Sequence, residues 1–280
     1  MRRTSIVTGG TGGIGKATAT ALAAQGDRVV VVGRNPAKAE AAVSDIRRAT
    51  GSAAVEMLLC DFGTLASVRS LAAEVLRRYE QVQVLVNNAG AIYPTRTLTA
   101  DGFEATFGVN HLAPFLLTNL LLDRLKAGNP ARIVNVSSAA HAFPGLDFDD
   151  WQSERRKYHS MRAYAMSKIA NVLFTYELAR RLTGTGVTAN CLHPGMVATD
   201  IFTSQGKSLA VRLIGPLLRP FVMTAEQGAE TSVYLAADPA VAGVTGRYFV
   251  KKLAKRSARP TYDEALARRL WELSERMTVG

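Results

Sequence analysis

Tyr164 and Lys168 stand four residues apart in the segment Tyr164-Ala165-Met166-Ser167-Lys168. On a helix that spacing puts a phenol and an ammonium on one face, one turn apart. A free tyrosine titrates near ~10, too high for efficient proton exchange at neutral pH. A neighbouring cation favours the phenolate and lowers that value, so the pair reads as a proton donor with its tuning group. Ser138, closing a β-branched run, can hold an oxygen on which charge develops. Asn110 lies inside a helical run where asparagine is a poor helix former, and it can bind a water that links Lys168 to solvent. A buried tyrosine beside a snorkelling lysine has the same spacing, so the pair gains meaning only from the set.

The chain opens on Thr8-Gly9-Gly10-Thr11-Gly12-Gly13-Ile14-Gly15, after an apolar run and before a helical one. Gly9 allows a tight turn, Gly13 lets backbone approach a pyrophosphate, and Gly15 lets helix and strand pack closely. The helix start then offers unpaired N–H groups to phosphates. The next apolar run ends Val32-Gly33-Arg34, where an NAD-type site carries an acid for the ribose hydroxyls. A cation there can clamp a 2′-phosphate, so NADP(H) is expected over NAD(H). Asp61 can accept from an adenine amino group. Asn87-Asn88-Ala89-Gly90 can brace a sheet and lie beside a ribose, although Asn and Gly also suit plain turns.

The elements that position these residues alternate. Short β-branched runs at Ser5–Thr8, Arg28–Gly33, Ala54–Leu59, Val82–Asn87, Ala131–Ser137 and Val187–Leu192 read as strands. Helical runs lie between them at Gly13–Gln25, Pro36–Thr50, Thr64–Tyr79, Gly102–Lys126 and Met161–Leu182. Repeated βα units imply a parallel sheet with right-handed crossovers. The expected fold is α/β, a Rossmann-type doubly wound parallel sheet of about seven strands with helices on both faces, in one domain over 1–280. Two stretches break the rhythm, an insertion at 139–160 and a Gly- and Pro-containing cover at 196–223. Both leave from strand ends, where ligands bind in such sheets. The cover carries Ile201, Phe202, Leu209, Leu213, Leu217 and Phe221 among its apolar residues, which suit a lipophilic substrate.

Composition excludes several other functions. No apolar run reaches the ~18–20 residues of a membrane span, and Met1-Arg2-Arg3 runs straight into Ile6-Val7-Thr8 without a signal-peptide core. A cytoplasmic protein without an integral membrane segment is expected. The net charge of +11 includes the basic stretch Lys251–Arg259, which reads as a solvated loop. No aromatic-interleaved basic module accompanies it, so nucleic-acid binding is not expected. Cys60 and Cys191 each end an apolar run and read as buried free thiols. The four histidines have no metal-ligand spacing, so no metal is assigned.

These motifs together, in this order, resemble those of the short-chain dehydrogenase/reductase family from Ser5 to about the C-terminus. The matching elements are the glycine segment, Asp61, Asn87-Asn88-Ala89-Gly90, Asn110, Ser138, Tyr164, Lys168 and Pro194-Gly195. The runs Val109–Leu121, Arg132–Ser138 and Ala267–Trp271, with the long gap from Ser138 to Tyr164, are similar to the retinol-dehydrogenase-like branch, which also includes WW-domain oxidoreductases. The resemblance implies an alcohol dehydrogenase or carbonyl reductase with Tyr164 as acid/base and Asn110, Ser138 and Lys168 as its companions. It implies cofactor contacts from Gly9, Thr11, Gly13, Ile14, Gly15, Arg34, Asp61, Phe62, Asn88, Ala89, Gly90, Tyr164, Lys168, Pro194 and Gly195. Val197 would add a backbone contact and Thr199 one to the carboxamide or phosphate. A homodimer or homotetramer through Gly102–Lys126 and Met161–Leu182 is implied too. The competing reading is a cofactor-sensing protein of weak turnover, against which the complete polar set argues.

Overall fold

Four consecutive valines, Val29 to Val32, are fully buried in the second strand. Their alternation sorts them to opposite faces. Val29 and Val31 pack with Leu22, Val43 and Ile46, while Val30 and Val32 pack with Val68, Leu71 and Leu85. A strand buried on both faces needs helices on both, and the computed structural model supplies them. It describes residues 2–195 and 223–279. Its strands are β1 (Thr4–Thr8), β2 (Arg28–Gly33), β3 (Val55–Leu59), β4 (Val84–Asn87), β5 (Ala131–Val136), β6 (Val187–His193), β7 (Tyr248–Val250) and β8 (Leu253–Lys255). They run in the order β3-β2-β1-β4-β5-β6-β7-β8, parallel up to β7. One cluster holds residues of α1 (Gly13–Ala24), α2 (Pro36–Thr50) and α8 (Ala225–Ala237). The other holds residues of α3 (Leu65–Arg78), α5 (Ala113–Leu120) and α7 (Ser160–Arg181).

The order reverses between β1 and β4, so their carboxyl ends flank a crevice, the position where doubly wound sheets take ligands. Side chains brace that end. Asn87 Nδ2 donates to Asn135 Oδ1 at 2.8 Å and to Thr118 Oγ1 at 2.9 Å. Asn135 Nδ2 donates to Thr175 Oγ1 at 2.9 Å. These buried hydrogen bonds tie β4, β5, α5 and α7 together and leave Asn87 Oδ1 without a partner among the described residues.

Several expectations need correction. Gly102–Lys126 is not one helix. It breaks into α4 (Ala105–Phe107), a π-helical turn (Gly108–Leu112), α5 and α6 (Leu122–Ala127). Pro114 sits in the first turn of α5, lacks an N–H, and cannot serve the carbonyl four residues back, that of Asn110. The sheet has eight strands rather than about seven, and the eighth is antiparallel. The basic stretch is not merely a loop. Lys251 and Lys252 make the turn of the β7–β8 hairpin with φ of 49° and 64°, and β8 follows with all three residues exposed. The helices α8 and α9 (Glu264–Thr278) had not been delimited.

α9 packs over α5 and α7. Trp271 packs on Phe115 and Phe174, ring centroids 4.9 and 5.8 Å away, and its ring lies 4.1 Å from the Arg181 guanidinium carbon. His111 Nε2 meets Ser274 Oγ at 2.8 Å. Arg69 binds the Thr278 carbonyl. Every residue of α7 from Ala163 to Ala179 is buried within the single chain. Part of that burial comes from α9, which covers the Phe115 and Phe174 side of α5 and α7.

Candidate active site

The first part of the site is the turn after β1. Gly9 has φ of +65°, and a Cβ there would lie 2.9 Å from the Ala89 Cα. A Cβ on Gly15 would overlap the Gly9 carbonyl, so α1 starts in direct backbone contact with the turn. Gly12 precedes α1 without a side-chain cap, and the first turn carries no acid. Among the described residues no side chain accepts from the N–H groups there, and with the helix dipole they suit an anion. Asn88 ties this turn to β4: its Nδ2 donates to the Thr8 carbonyl at 2.8 Å and to that of Gly9 at 3.3 Å. Thr8 Oγ1 accepts from the N–H groups of Asn88 and Ala89, both at 3.0 Å. The turn thus fits a dinucleotide pyrophosphate.

At the end of β2, Thr11 packs so closely over Gly33 that a Cβ at 33 would overlap its methyl group. An acidic side chain has no room there. Arg34 is exposed, and among the described residues no carboxylate pairs with it. It lies close enough to Tyr93 to bias its phenol, as does Asp61. Asp61 Oδ1 accepts from Gly63 N–H at 2.9 Å, so it is partly spent on a turn. Phe62 is buried in the core, and Ile14 packs with Ala229.

The chemistry-bearing residues meet at the ends of β4 and β5. A Cβ on Gly90 would sit 3.2 Å from Asn110 Oδ1 and 3.6 Å from Lys168 Nζ, so these three converge. Lys168 Nζ donates to the Val136 carbonyl at 3.1 Å and lies 5.4 Å from the Tyr164 ring centroid. The Ser138 side chain lies near enough to the Tyr164 phenol to bias its titration. Ser138 Oγ also accepts from Ala140 N–H at 3.2 Å, which opens a 3₁₀ turn, Ala139–Ala142. Ser137 Oγ donates to the Lys168 carbonyl at 2.8 Å and pins α7 against β5.

The Asn110 side chain braces the loop after β4: Oδ1 accepts from Ala91 N–H at 2.7 Å, and Nδ2 donates to the Ala91 carbonyl at 2.9 Å and to Ser167 Oγ at 3.0 Å. One expectation about this group changes. The Tyr164 phenol was expected to be lowered, but burial pushes it up, offset in part by the nearby Ser138 side chain. Burial also brings Lys168 down, to about 8. Desolvation opposes both charged forms, and the ammonium is turned toward the Val136 carbonyl.

The insertion 139–160 is not a free wall. Trp151 is buried and packs on Phe107 and Phe148, centroids 5.8 and 5.6 Å away. Its start, with Phe143 36% exposed, and the stretch 154–157 lie open. Gly195 has φ of +92° and lies against the Met223 side chain, with Pro194 before it. Val197 and Thr199 lie outside the described residues, as does the expected cover at 196–223 apart from Met223. Sequence reasoning gave no role to Ser167, which donates to the Tyr164 carbonyl at 2.7 Å and so links it to Asn110. Its place inside the Tyr-Lys segment was the available signal.

The profile of short chain dehydrogenases matches residues 3–210. Human retinol dehydrogenase 13 is 45% identical over 278 residues, 98% of this chain and 84% of that protein. The crystal structure of an uncharacterised protein from Mycobacterium paratuberculosis superposes with a TM-score of 0.78 at 34% identity, covering 99% of this chain and 93% of that one. An actinorhodin polyketide ketoreductase solved with NADPH gives a TM-score of 0.68 at 27% identity, covering 89% of this chain and 95% of its own.

Proposed function

This chain belongs to the short-chain dehydrogenase family, and on that premise we propose that it is an NADP(H)-dependent oxidoreductase interconverting a lipophilic alcohol and its carbonyl. The observation that carries the reading is the convergence of the buried Tyr164, Lys168 and Asn110, with the part-buried Ser138 near the phenol, beside a glycine turn suited to a pyrophosphate. When bound, the nicotinamide supplies or accepts the hydride. The protein's residues handle the oxygen and the proton. Ser138 hydrogen-bonds the substrate oxygen and stabilises the charge that gathers on it. Tyr164, held protonated by burial, gives its proton to that oxygen in reduction. Lys168 favours the phenolate left behind and binds the nicotinamide ribose. A water on the Asn110 carbonyl, which lacks the usual helical donor, returns the proton.

NADP(H) is favoured because Arg34 is exposed with no carboxylate partner among the described residues and Thr11 leaves no room for an acid at position 33. A lipophilic substrate is favoured by the exposed Phe143 at the end of the turn that Ser138 opens and by the substrate in the name of the human relative. The decisive experiment screens lipophilic alcohols, aldehydes, steroids and quinones with both cofactors, then repeats the best pair with Tyr164→Phe. Turnover falls by at least ~10²-fold, the scale of losing a general acid, while NADPH binding persists. Near wild-type turnover in that variant removes Tyr164 from the mechanism. Calorimetry with Arg34→Ala shows NADPH weakened by roughly 1.5–3 kcal/mol, a hydrogen bond to a charged group, and NADH hardly changed. Equal losses for both cofactors reject Arg34 as the phosphate reader.

A further inference from the structure

His141 lies in the 3₁₀ turn that follows Ser138 and is buried. Its Nδ1 lies 2.7 Å from the Ser138 carbonyl, which also accepts from the His141 backbone N–H at 3.1 Å. Its Nε2 accepts from the Ala258 backbone N–H at 3.0 Å, across 117 residues of chain. A carbonyl can only accept and a backbone N–H can only donate. Both bonds therefore exist together in one form alone, the neutral imidazole with its proton on Nδ1. Burial holds the ring below its usual pKa, offset in part by the Ser138 carbonyl, and favours the neutral form. The ring packs on Tyr248 of β7, centroids 4.7 Å apart.

Ala258 is itself held. Thr261 Oγ1 donates to its carbonyl at 2.6 Å, and Thr261 Oγ1 meets Ser257 Oγ at 2.6 Å. Ser257 Oγ in turn meets the Tyr176 hydroxyl of α7 at 2.7 Å. A hydrogen-bonded path thus runs from Ser138 through His141 and the 257–261 segment back to the helix that carries Tyr164 and Lys168.

We propose that His141 is a positioning residue: the Ala258 N–H fixes its tautomer, and its Nδ1–H then holds the Ser138 backbone so that the serine hydroxyl meets the substrate oxygen alongside Tyr164. Outer partners of this kind orient a functional group through the nitrogen that does not touch it. The proposal rests on the reading of Ser138 given above.

The test is a double-mutant cycle on the fastest carbonyl of the substrate panel, with NADPH affinity measured in parallel. His141→Phe keeps a ring on Tyr248 and removes both hydrogen bonds. It lowers kcat about tenfold, the size of one hydrogen bond, with NADPH affinity unchanged. His141→Asn retains an amide N–H near the Nδ1 position and recovers kcat to within about threefold of wild type, the residual loss coming from the missing Ala258 bond. In a Ser138→Ala background His141→Phe produces no further loss, because its effect passes through Ser138. Multiplicative losses in the double variant, or an Asn variant as slow as the Phe variant, overturn the role of His141 and leave that of Ser138 standing. Ser138→Ala with wild-type turnover overturns both. Should His141→Phe fail to bind NADPH, the Asn variant in both backgrounds carries the same cycle: a kcat loss that multiplies with that of Ser138→Ala rejects the proposal.

Discussion

Two helical runs flank the site, and they solve different problems. α7 continues unbroken over 22 residues, and its regular spacing sets Tyr164 and Lys168 one turn apart. The run from Ala105 to Ala127 breaks at a π-helical turn, and Asn110 lies within that turn. The wider turn aims the Asn110 amide at the loop after β4, where it holds both backbone groups of Ala91. π-turns within helices commonly mark functional positions. A regular helix suffices where the chemistry needs two side chains in step. A break serves where one residue must brace a neighbouring loop. The polar residues also differ in thermodynamic sign. Lys168 is a buried cation that burial disfavours, whereas Asn110 is a buried amide with its partners in place.

Lys168→Met gives the largest effect and tests that sign. Turnover falls by ~10²-fold or more, as expected for a disabled acid/base group. The unfolded chain keeps the lysine proton to about 10.4, and the folded site releases it at about 8. Below pH 8 the protonated lysine costs the fold in full, and the cost fades as pH rises through that window. At pH 7 the Met variant is therefore more stable by about 3 kcal/mol, and the gap narrows toward pH 10. Urea titrations across pH check this; a variant less stable at pH 7 would break the comparison.

Asn110→Ala moves stability the other way. It leaves the N–H and carbonyl of Ala91 without their partner and costs about 3 kcal/mol. The urea midpoint measures it, and a cost under about 0.5 kcal/mol means the break does not brace the loop. The smallest effect comes from His111, the next residue in the same π-turn. Burial lowers its pKa to about 4. The unfolded chain takes up that proton from about 6.5 downward, so stability drains away as pH falls from there toward 4. At pH 5 the loss is about 2 kcal/mol, and His111→Phe flattens this part of the stability–pH curve. An unchanged slope would place the acid sensitivity elsewhere.

Much of this was legible in the sequence where the physics is local. β2, α1, α2 and α7 lie within a residue or so of their expected bounds, because alternation and helical periodicity mark them and Pro36 marks the start of α2. Residue type and spacing also single out the glycine turn, Ser138, Tyr164 and Lys168 as the candidate site. The break at Asn110 was missed because Gly108 and Pro114 interrupt a run that is otherwise apolar, and neither alone forbids a helix. β7 and β8 have three residues each, too few for a period to show. The bond from Ala258 to His141 and the cover of α9 over α7 join residues distant in the chain, and no local pattern encodes them. The upward push on Tyr164 depends on how deeply the packed elements bury it, which spacing does not report.

The docking of α9 sets an order of events during synthesis. Chains emerge N-terminus first, so the residues of β1, β4 and α7 are all made before Glu264 appears. Until then Phe115, Phe174, Met166 and Ile169, which end up beneath or beside α9, have no cover from it. The nascent protein therefore carries an adhesive apolar face next to its future active site, and the last fifteen helical residues close it. A ribosome that stops short of them releases a chain with its chemistry written but its flank open, a natural substrate for chaperones.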